Sequence, residues 1–325
     1  MLDKFKETNE RYKLLKELTE VAKVESALLC GARKFFEKNE YTEIVVPHLT
    51  RATGSCENMD TLFEVNYFGE RAFLSQTGQL YLETLIPELK KVWCVGPSFR
   101  AEAKADNRHL TEFPLIELEF DGNFRELLIE IEKLIMSMIK EVLYDDKIKI
   151  VDKKRLSKIK APFKKITYNE AIEELKGFGV KQGDDLKSKH EKYLVKKFGN
   201  QPLFITHFPI EMKFFNMKRN ESNPNIVNSA DLILPIGGEA VGAAEREFMY
   251  KDVLRRLKES QMFQQLLRLG GSVEDFKWYL DFLREKGNVP HAGCGMGLNR
   301  ITQFILGTDD IRASTVYPLN SETLM

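Results

Sequence analysis

Cysteine and histidine are scarce and scattered in this chain. Among 325 residues there are four cysteines and five histidines, and no two cysteines form the Cys-x-x-Cys pair that is typical of zinc sites and redox motifs. This usage argues against a disulfide framework and against a structural zinc centre. We therefore expect a cytoplasmic protein with reduced thiols.

The chain also lacks an excess of either charge and any long apolar run. Lysine plus arginine and aspartate plus glutamate both number 49, so the net charge is zero and no overall basic footprint for nucleic acid is present. We interpret the lysine-rich runs at 147–160 and 187–197 as solvated surfaces. The charged N-terminus and the absence of an apolar run of membrane length predict neither a signal peptide nor a membrane partner.

A P-loop is missing as well, yet two arginines stand in positions that suit a nucleotide. Arg100 lies in GPSFRAEAKADNRHLTEF and Arg300 ends HAGCGMGLNR, and each follows a run typical of a buried strand or of a glycine-rich entry to a helix. Guanidinium groups on rigid elements suit polyphosphate, because they pair phosphate oxygens bidentately and stay charged. If the two side chains converge, the chain binds a nucleotide without a P-loop.

Strand pairs outnumber strand–helix–strand units along the chain. Strand pairs are predicted at 61–80, 91–122 and 230–247. Apolar residues at helical spacing occupy 3–38, 80–89, 124–143, 250–261 and 273–285. These patterns predict an α+β fold with an antiparallel β-sheet flanked by helices. We expect a single domain over 1–325, with an N-terminal helix in 1–30 and a polar, lysine-rich insertion or connector at 145–200.

A charged loop between two apolar strands carries the first cluster of candidate residues. Arg100 and Glu102 leave the first strand, Arg108 and His109 lie in the loop, and Phe113 opens the second strand. The cations can hold phosphates, and the aromatic ring can stack on a base. The alternative is an ordinary hairpin whose charges form surface pairs of little energy.

Small residues surround the second arginine and a further acid–arginine pair. Gly293, Gly295 and Gly297 alternate, which places them on one side of a strand and lets a flat ligand or backbone approach closely. Glu239 can take a Mg²⁺ that bridges phosphates, and Arg246 can hold a substrate carboxylate or amide. Packing alone explains the glycines equally well, and a buried structural ion pair is the alternative for Glu239 and Arg246.

Taken together, these stretches resemble class II aminoacyl-tRNA synthetases, and within them the asparaginyl/aspartyl group. KFFEKNEYTEIVVPHLT is similar to the first motif of that family, FRAE with RHLTEF to the second, and GMGLNR to the third. TGQLYLE, GGEAVGAAERE and FITHFPIEMKFFNM resemble asparaginyl-tRNA synthetases more specifically. The resemblance covers roughly residues 25–317 and implies the class II antiparallel sheet with flanking helices.

The resemblance implies an ATP site. Arg100 is expected to bind the α-phosphate and to stabilise the charge that develops there, and Arg300 to hold the γ-phosphate of a bent ATP. Arg108 and His109 would close over the nucleotide, and Phe113 would lie under the adenine. Two acidic residues complete the set, Glu102 beside ATP and Glu239 as the ligand of the cofactor Mg²⁺.

It implies an amino-acid pocket as well. Glu57, on a mobile loop, and Gln79 would face the α-amino group, and Arg246 would recognise the side-chain oxygen. Glu117 matches the acid that accepts a hydrogen bond from the asparagine amide, whereas Leu82 replaces the lysine of the aspartyl enzymes. A pocket with that acid and without that lysine disfavours a bare β-carboxylate.

Four departures from the family pattern bear on these expectations. Only about 30 residues precede the first motif, too few for an OB-fold anticodon-binding domain. Asn299 removes a carboxylate near the phosphates, Leu319 replaces an arginine, and one extra residue in FLREKGNVPH can move Arg284. Without an anticodon domain, the acyl acceptor need not be tRNA.

We therefore expect an asparagine-synthetase-type amide ligase. It would adenylate an aspartate- or asparagine-like amino acid with ATP and transfer the acyl group to ammonia or a small amine. One alternative, which the sequence favours less, is a truncated or paralogous asparaginyl-tRNA synthetase that charges tRNA or another carrier. Another is a non-catalytic amino-acid sensor or RNA-binding module. The family architecture also implies a homodimer through the helix and strand around Pro47.

Overall fold

β-Strands form the centre of the molecule; the computed structural model describes residues 8–51, 59–287 and 289–323. In chain order the strands are β1 (Thr42–Glu43), β2 (Leu49–Thr50), β3 (Glu64–Tyr67), β4 (Glu70–Leu74), β5 (Lys91–Phe99), β6 (Glu112–Phe120), β7 (Lys164–Thr167), β8 (Leu203–Thr206), β9 (Ser229–Leu234), β10 (Gly238–Glu245) and β11 (Ala292–Gly297).

Eight of these strands form one sheet in the order β1-β5-β6-β11-β10-β9-β8-β7. Neighbouring strands pair antiparallel except at the two edges, where β1 runs parallel to β5 and β7 runs parallel to β8. A small antiparallel sheet of β2, β4 and β3 lies apart from it. The α+β class and the antiparallel sheet predicted from the strand pairs are confirmed.

Helices flank the sheet. In chain order they are α1 (Thr8–Lys38), α2 (Gln79–Glu83), α3 (Ile86–Leu89), α4 (Phe124–Tyr144), α5 (Lys153–Leu156), α6 (Tyr168–Glu174), α7 (Ser188–Lys197), α8 (Tyr250–Glu259), α9 (Gln261–Arg268), α10 (Lys277–Lys286) and α11 (Leu298–Leu306). None of the helices within the described ranges is long and apolar enough to cross a bilayer.

The main core lies between the sheet and the helices α1, α4 and α11. Val24 and Leu28 of α1, four residues apart, are fully buried on one helix face. Gly31 lets α1 cross α4 closely, because a Cβ there would lie 2.7 Å from the Cα of Met138. A capping box formed by Asn123 and Glu126 starts α4. Local sequence and tertiary packing therefore agree in this layer.

Proline and serine divide three of the predicted elements. The strand-like run 42–50 is strand only at its ends, because Pro47 has no N–H for a ladder. The helix predicted at 80–89 is two short helices, and Pro87 lies in the first turn of the second, where proline is tolerated. The helix predicted at 250–261 ends before Ser260, whose side chain accepts from the N–H of Phe263 and starts α9.

The lysine-rich segment 145–200 is more than a connector. It supplies the edge strand β7, which pairs with β8 of the large sheet. It also contributes a second apolar cluster in which Tyr168, Leu175 and Leu194 are fully buried. The segment is therefore integrated into the same sheet as the candidate site residues.

Candidate active site

A cavity of about 380 Å³ lies beside the central strands, a volume suited to a small-molecule substrate. It brings together all of the predicted site residues that the structure describes. They are Gln79, Arg100, Glu102, Arg108, His109, Phe113, Glu117, Glu239, Arg246 and Arg300. Glu57 falls outside the described residues. These residues lie in separate stretches of sequence, and the sheet order explains why they meet: β6, β11 and β10 are adjacent.

The β5–β6 hairpin positions the first arginines. Its register runs to Phe99 opposite Glu112, and the N–H of Arg100 donates to the carbonyl of Thr111 at 2.8 Å. Beyond it, Asp106 accepts from the backbone N–H of Arg108 at 2.7 Å and of His109 at 2.8 Å. These bonds give the loop a defined turn, because a short acidic side chain here replaces missing backbone partners.

Aromatic and imidazole groups accompany that loop. The guanidinium carbon of Arg100 lies 5.4 Å from the ring centroid of Phe113. His109 is exposed, and its Nδ1 lies 2.8 Å from the Asp106 carboxylate. Glu102 is half-buried at the cavity wall. A purine can stack on Phe113 in this arrangement, with the Arg100 guanidinium next to its phosphates.

Arg300 lies at the start of α11 and is held by backbone oxygens. Its Nη1 donates to the carbonyl of Gly237, and its Nη2 to the carbonyl of Arg108, both at 2.6 Å. Burial, followed by the neighbouring Arg108, lowers the pKa of Arg300 to about 10. The group therefore stays charged at neutral pH. The guanidinium groups of Arg300 and Arg108 repel each other, and a highly charged anion bound between them would relieve that repulsion.

The partner of Arg108 comes from the lysine-rich segment. Glu191 of α7 lies 3.2 Å from Nη2 of Arg108, and its side chain is 6% exposed. Gly238 permits this contact, because a Cβ there would lie 2.5 Å from Oε2 of Glu191. Burial raises the pKa of Glu191, and Arg108 opposes that shift. This acid could not be identified from the sequence, because the surrounding lysines made α7 resemble a solvated surface.

Glu239 faces the cavity from β10 through an irregularity in the strand. The pairing of β10 with β9 shifts register between Glu239 and Val241, which is a β-bulge. As a result Glu239 and Gly242, three residues apart, are both exposed, whereas regular pleating would put them on opposite faces. Among the described residues no group of three or more histidine, cysteine or acidic side chains forms a metal cluster.

Glu117 lies at the other end of the cavity in β6. Its carboxylate accepts from the N–H of Gly78 at 2.7 Å and from the hydroxyl of Thr77. Burial raises the pKa of Glu117, and these two donors oppose the rise. Gly295 lies directly opposite in β11 and also lines the cavity, and a Cβ there would make ordinary contact with Leu115 at 3.5 Å.

Arg246 follows β10 and is anchored by a second glutamate of β6. Its Nη2 and Nε lie 2.6 and 3.1 Å from Oε1 of Glu119, and the two side chains are 3% and 1% exposed. Burial, which Arg246 opposes and Glu83 reinforces, raises the pKa of Glu119 to about 7. Gly293 serves this pair rather than a ligand, because a Cβ there would overlap the Glu119 carboxylate.

Three further residues singled out in the sequence have well-defined surroundings in the structure. Leu82 does not line the cavity; it is fully buried in an apolar cluster with Val46 and Ile86. The amide of Asn299 donates to Glu25 of α1 at 3.1 Å, although the residue borders the cavity. Arg284 is exposed on α10 and pairs with Asp281.

Several residues of the site were not identified from the sequence. Lys213 and Asp231 form a shielded pair at 2.8 Å on the cavity wall. Glu83 and Glu119 lie buried below the amino-acid end. A signal was present for Glu119, because it stands two residues after Glu117 in an apolar strand, and period two puts both on one face.

Comparisons with known proteins show the family of this chain. The sequence profile of tRNA synthetases class II (D, K and N) matches residues 7–321. The asparagine–tRNA ligase of Pelotomaculum thermopropionicum is 38% identical over 310 residues, which is 92% of this chain and 68% of that protein. That of Pyrococcus furiosus is 38% identical over 306 residues, with the same shares covered.

Solved structures give the same result. Asparaginyl-tRNA synthetase from Pyrococcus horikoshii, complexed with asparaginyl-adenylate, has a TM-score of 0.81 and 33% identity, and the match covers 95% of this chain and 70% of that one. The Entamoeba histolytica asparaginyl-tRNA synthetase has a TM-score of 0.82 and 31% identity over 94% of this chain and 69% of its own. The chain belongs to the class II tRNA synthetases of the D, K and N group, and it is an ATP-dependent, AMP-forming ligase.

Proposed function

We propose that this protein adenylates asparagine with ATP and transfers the asparaginyl group to tRNA. The main support is the charge of the amino-acid end of the cavity. Glu117 lines that end and is buried, and the guanidinium of Arg246, which also lines the cavity, is already paired with the buried Glu119. A β-carboxylate would add a further negative charge to this place, whereas a neutral amide adds none and can donate to Glu117.

ATP binds with its phosphates toward the arginines in this proposal. The α-carboxylate oxygen of asparagine attacks the α-phosphorus, the bond from that phosphorus to the bridging oxygen breaks, and pyrophosphate leaves. Arg100 stabilises the charge that develops at the α-phosphate, while Arg108 and Arg300 hold the outer phosphates. Phe113 carries the adenine, and Glu102 borders it. These roles require no proton transfer from the protein, because the attacking carboxylate is already ionised.

Magnesium fits the phosphate end of the cavity. Mg²⁺ usually keeps several waters and is bound by one or two carboxylates together with substrate phosphates. Glu239 offers one carboxylate at the cavity surface, which meets that need. When bound, the ion would neutralise the phosphate charge that Arg300 and Arg108 do not reach.

The acceptor is the point at which two predictions from the sequence differ. The relatives named above are asparagine–tRNA ligases, which favours tRNA over ammonia or a small amine. Pyrophosphate exchange with asparagine and with aspartate tests the first step, and release of AMP with unfractionated tRNA or with ammonia tests the second. Exchange with aspartate alone, followed by formation of asparagine from ammonia, would contradict the proposal and restore the amide ligase.

A homodimer around Pro47 remains part of the proposal. Val45, two residues earlier, is 96% exposed, and Leu49 is 43% exposed, although both are apolar. Apolar side chains this open commonly lie in an interface. Light scattering of the wild type and of Val45→Asp measures the subunit number, and a wild-type monomer would contradict this part.

A further inference from the structure

A buried glutamate in the short helix α2 lies beneath the amino-acid end of the cavity. Glu83 stands four residues after Gln79, so the two side chains share one face of that helix, and Glu83 is 0% exposed. An ionised carboxylate in such a place needs several donors, because burial otherwise favours the neutral acid. The donors around it therefore indicate what the group does.

Four hydrogen-bonding side chains surround the Glu83 carboxylate. Nε2 of Gln79 lies 2.6 Å and Nδ2 of Asn216 2.9 Å from Oε1. The hydroxyl of Tyr279 lies 2.6 Å and Nε2 of His291 3.4 Å from Oε2. Burial opposes ionisation, but His291, Arg246 and Tyr279 together outweigh it and lower the pKa of Glu83. The carboxylate is therefore ionised at neutral pH.

An acceptor at this place fixes which way the Gln79 amide faces. A carboxylate only accepts, so the Gln79 nitrogen must be directed toward Glu83. The carbonyl oxygen of Gln79 is then the atom that remains for the cavity, which Gln79 lines. A carbonyl oxygen accepts from an ammonium group and cannot donate to a carboxylate. The contact therefore selects the α-amino group of a bound amino acid.

The same carboxylate reaches the group expected to bind the other end of that substrate. Oε1 of Glu83 lies 3.9 Å from Nε of Arg246. Nδ1 of His291 lies 2.8 Å from the carbonyl of Val289, so both ring nitrogens of His291 face an acceptor. Burial opposes the charged form of His291, but Glu83 favours it and the pKa of His291 is raised. Glu83 thus connects Gln79, His291 and Arg246 within one buried network.

We propose that Glu83 is the positioning residue for the amino acid: it orients Gln79 toward the α-amino group and holds Arg246 beside the side chain. This inference rests on the proposed activation of asparagine. Among the described residues, the polar contacts of Glu83 given above include none of the arginines expected to bind phosphate, so we expect its effect to be confined to the amino-acid end. A loss of its charge should raise KM for asparagine and leave KM for ATP nearly unchanged.

The test is pyrophosphate exchange with Glu83→Gln and with the matched control Glu88→Gln, whose side chain is 73% exposed on the neighbouring helix. We expect KM for asparagine to rise about tenfold to a hundredfold in the first variant, as for loss of a charge-assisted hydrogen bond. KM for ATP should change less than about twofold, and the control should match the wild type.

A double-mutant cycle distinguishes positioning from a general structural role. In the double variant Gln79→Ala with Glu83→Gln, the rise in KM for asparagine should be smaller than the product of the two single rises, because the first change already removes the oriented amide and leaves only the effect through Arg246. If Glu83→Gln does not fold, Tyr279→Phe removes one donor, leaves the carboxylate, and should raise the same KM by a smaller factor. Equal effects on both substrates, or additive effects in the cycle, would overturn the inference. Wild-type protein without asparagine-dependent exchange would instead overturn the proposed function.

Discussion

Replacing Glu117 with glutamine should reduce the preference for asparagine over aspartate. The Glu117 carboxylate lies at the amino-acid end of the cavity, 6% exposed. Two unit charges 4 Å apart repel by about 4 kcal/mol at the effective dielectric constant of about 20 that suits partly shielded sites. About 1.4 kcal/mol corresponds to a factor of ten, so removal of this repulsion is worth up to about a thousandfold in discrimination.

Glutamine can occupy the site without a loss of fold. Its carbonyl oxygen can accept from the N–H of Gly78, and its amide can donate to the hydroxyl of Thr77, which can serve as an acceptor in place of donor. We therefore expect the free energy of unfolding to change little, while kcat/KM for asparagine falls and that for aspartate rises.

The assay is pyrophosphate exchange with each amino acid, reported as the ratio of the two kcat/KM values. Glu112→Gln is the control, because Glu112 opens the same strand and is exposed. A ratio that changes less than about threefold, or that changes equally in the control, would refute the argument from like charges.

Three further predictions concern the surroundings of the cavity. Burial raises the pKa of Glu25 to about 7, so the folded state binds the proton of this group more tightly than the unfolded state does. The free energy of unfolding should therefore fall by up to about 2 kcal/mol as the pH rises from about 4.5 to 7. In urea unfolding, Glu25→Gln should lack this fall and should match the wild type near pH 4. Asn299→Glu would place a second carboxylate beside Glu25, and we expect a lower Tm at pH 8 that Glu25→Gln restores in the double variant. Glu191→Ala should raise KM for ATP about three- to tenfold in the exchange assay without changing KM for asparagine, because Arg108 loses the carboxylate that offsets its repulsion from Arg300.

Elements with strong local signals could be predicted from the sequence. The helix at 124–143 is α4 (Phe124–Tyr144), because its apolar stripe and its Asn123 cap agree with each other. The two apolar runs at 91–102 and 113–122 pair as β5 and β6, from Lys91 opposite Phe120 to Phe99 opposite Glu112. The separate stretches around Arg100 and Arg300 do line one cavity, since the strands that carry them lie two apart in the sheet.

Contacts between distant residues could not be predicted in the same way. Glu83 meets His291, which is 208 residues later, and neither has a local pattern that indicates the other. Glu191 was hidden for a different reason, because a lysine-rich context is typical of solvent-facing helices. The bulge at Glu239 depends on the register with β9, which side-chain alternation alone does not determine.

The unequal charge of the two cavity ends also bears on the direction in which an amino acid can bind. An amide ligase of the asparagine-synthetase type requires aspartate in the reverse direction, with its β-carboxylate at ATP and its α-carboxylate near Arg246. In that position the α-carboxylate would meet Glu117, while Nε and Nη2 of Arg246 are already committed to the buried Glu119. Its α-amino group would also leave the carbonyl oxygen of Gln79, which Glu83 directs to the cavity. The forward direction places the α-carboxylate at the arginines and the neutral amide among the acids, so the buried charges themselves favour activation of asparagine.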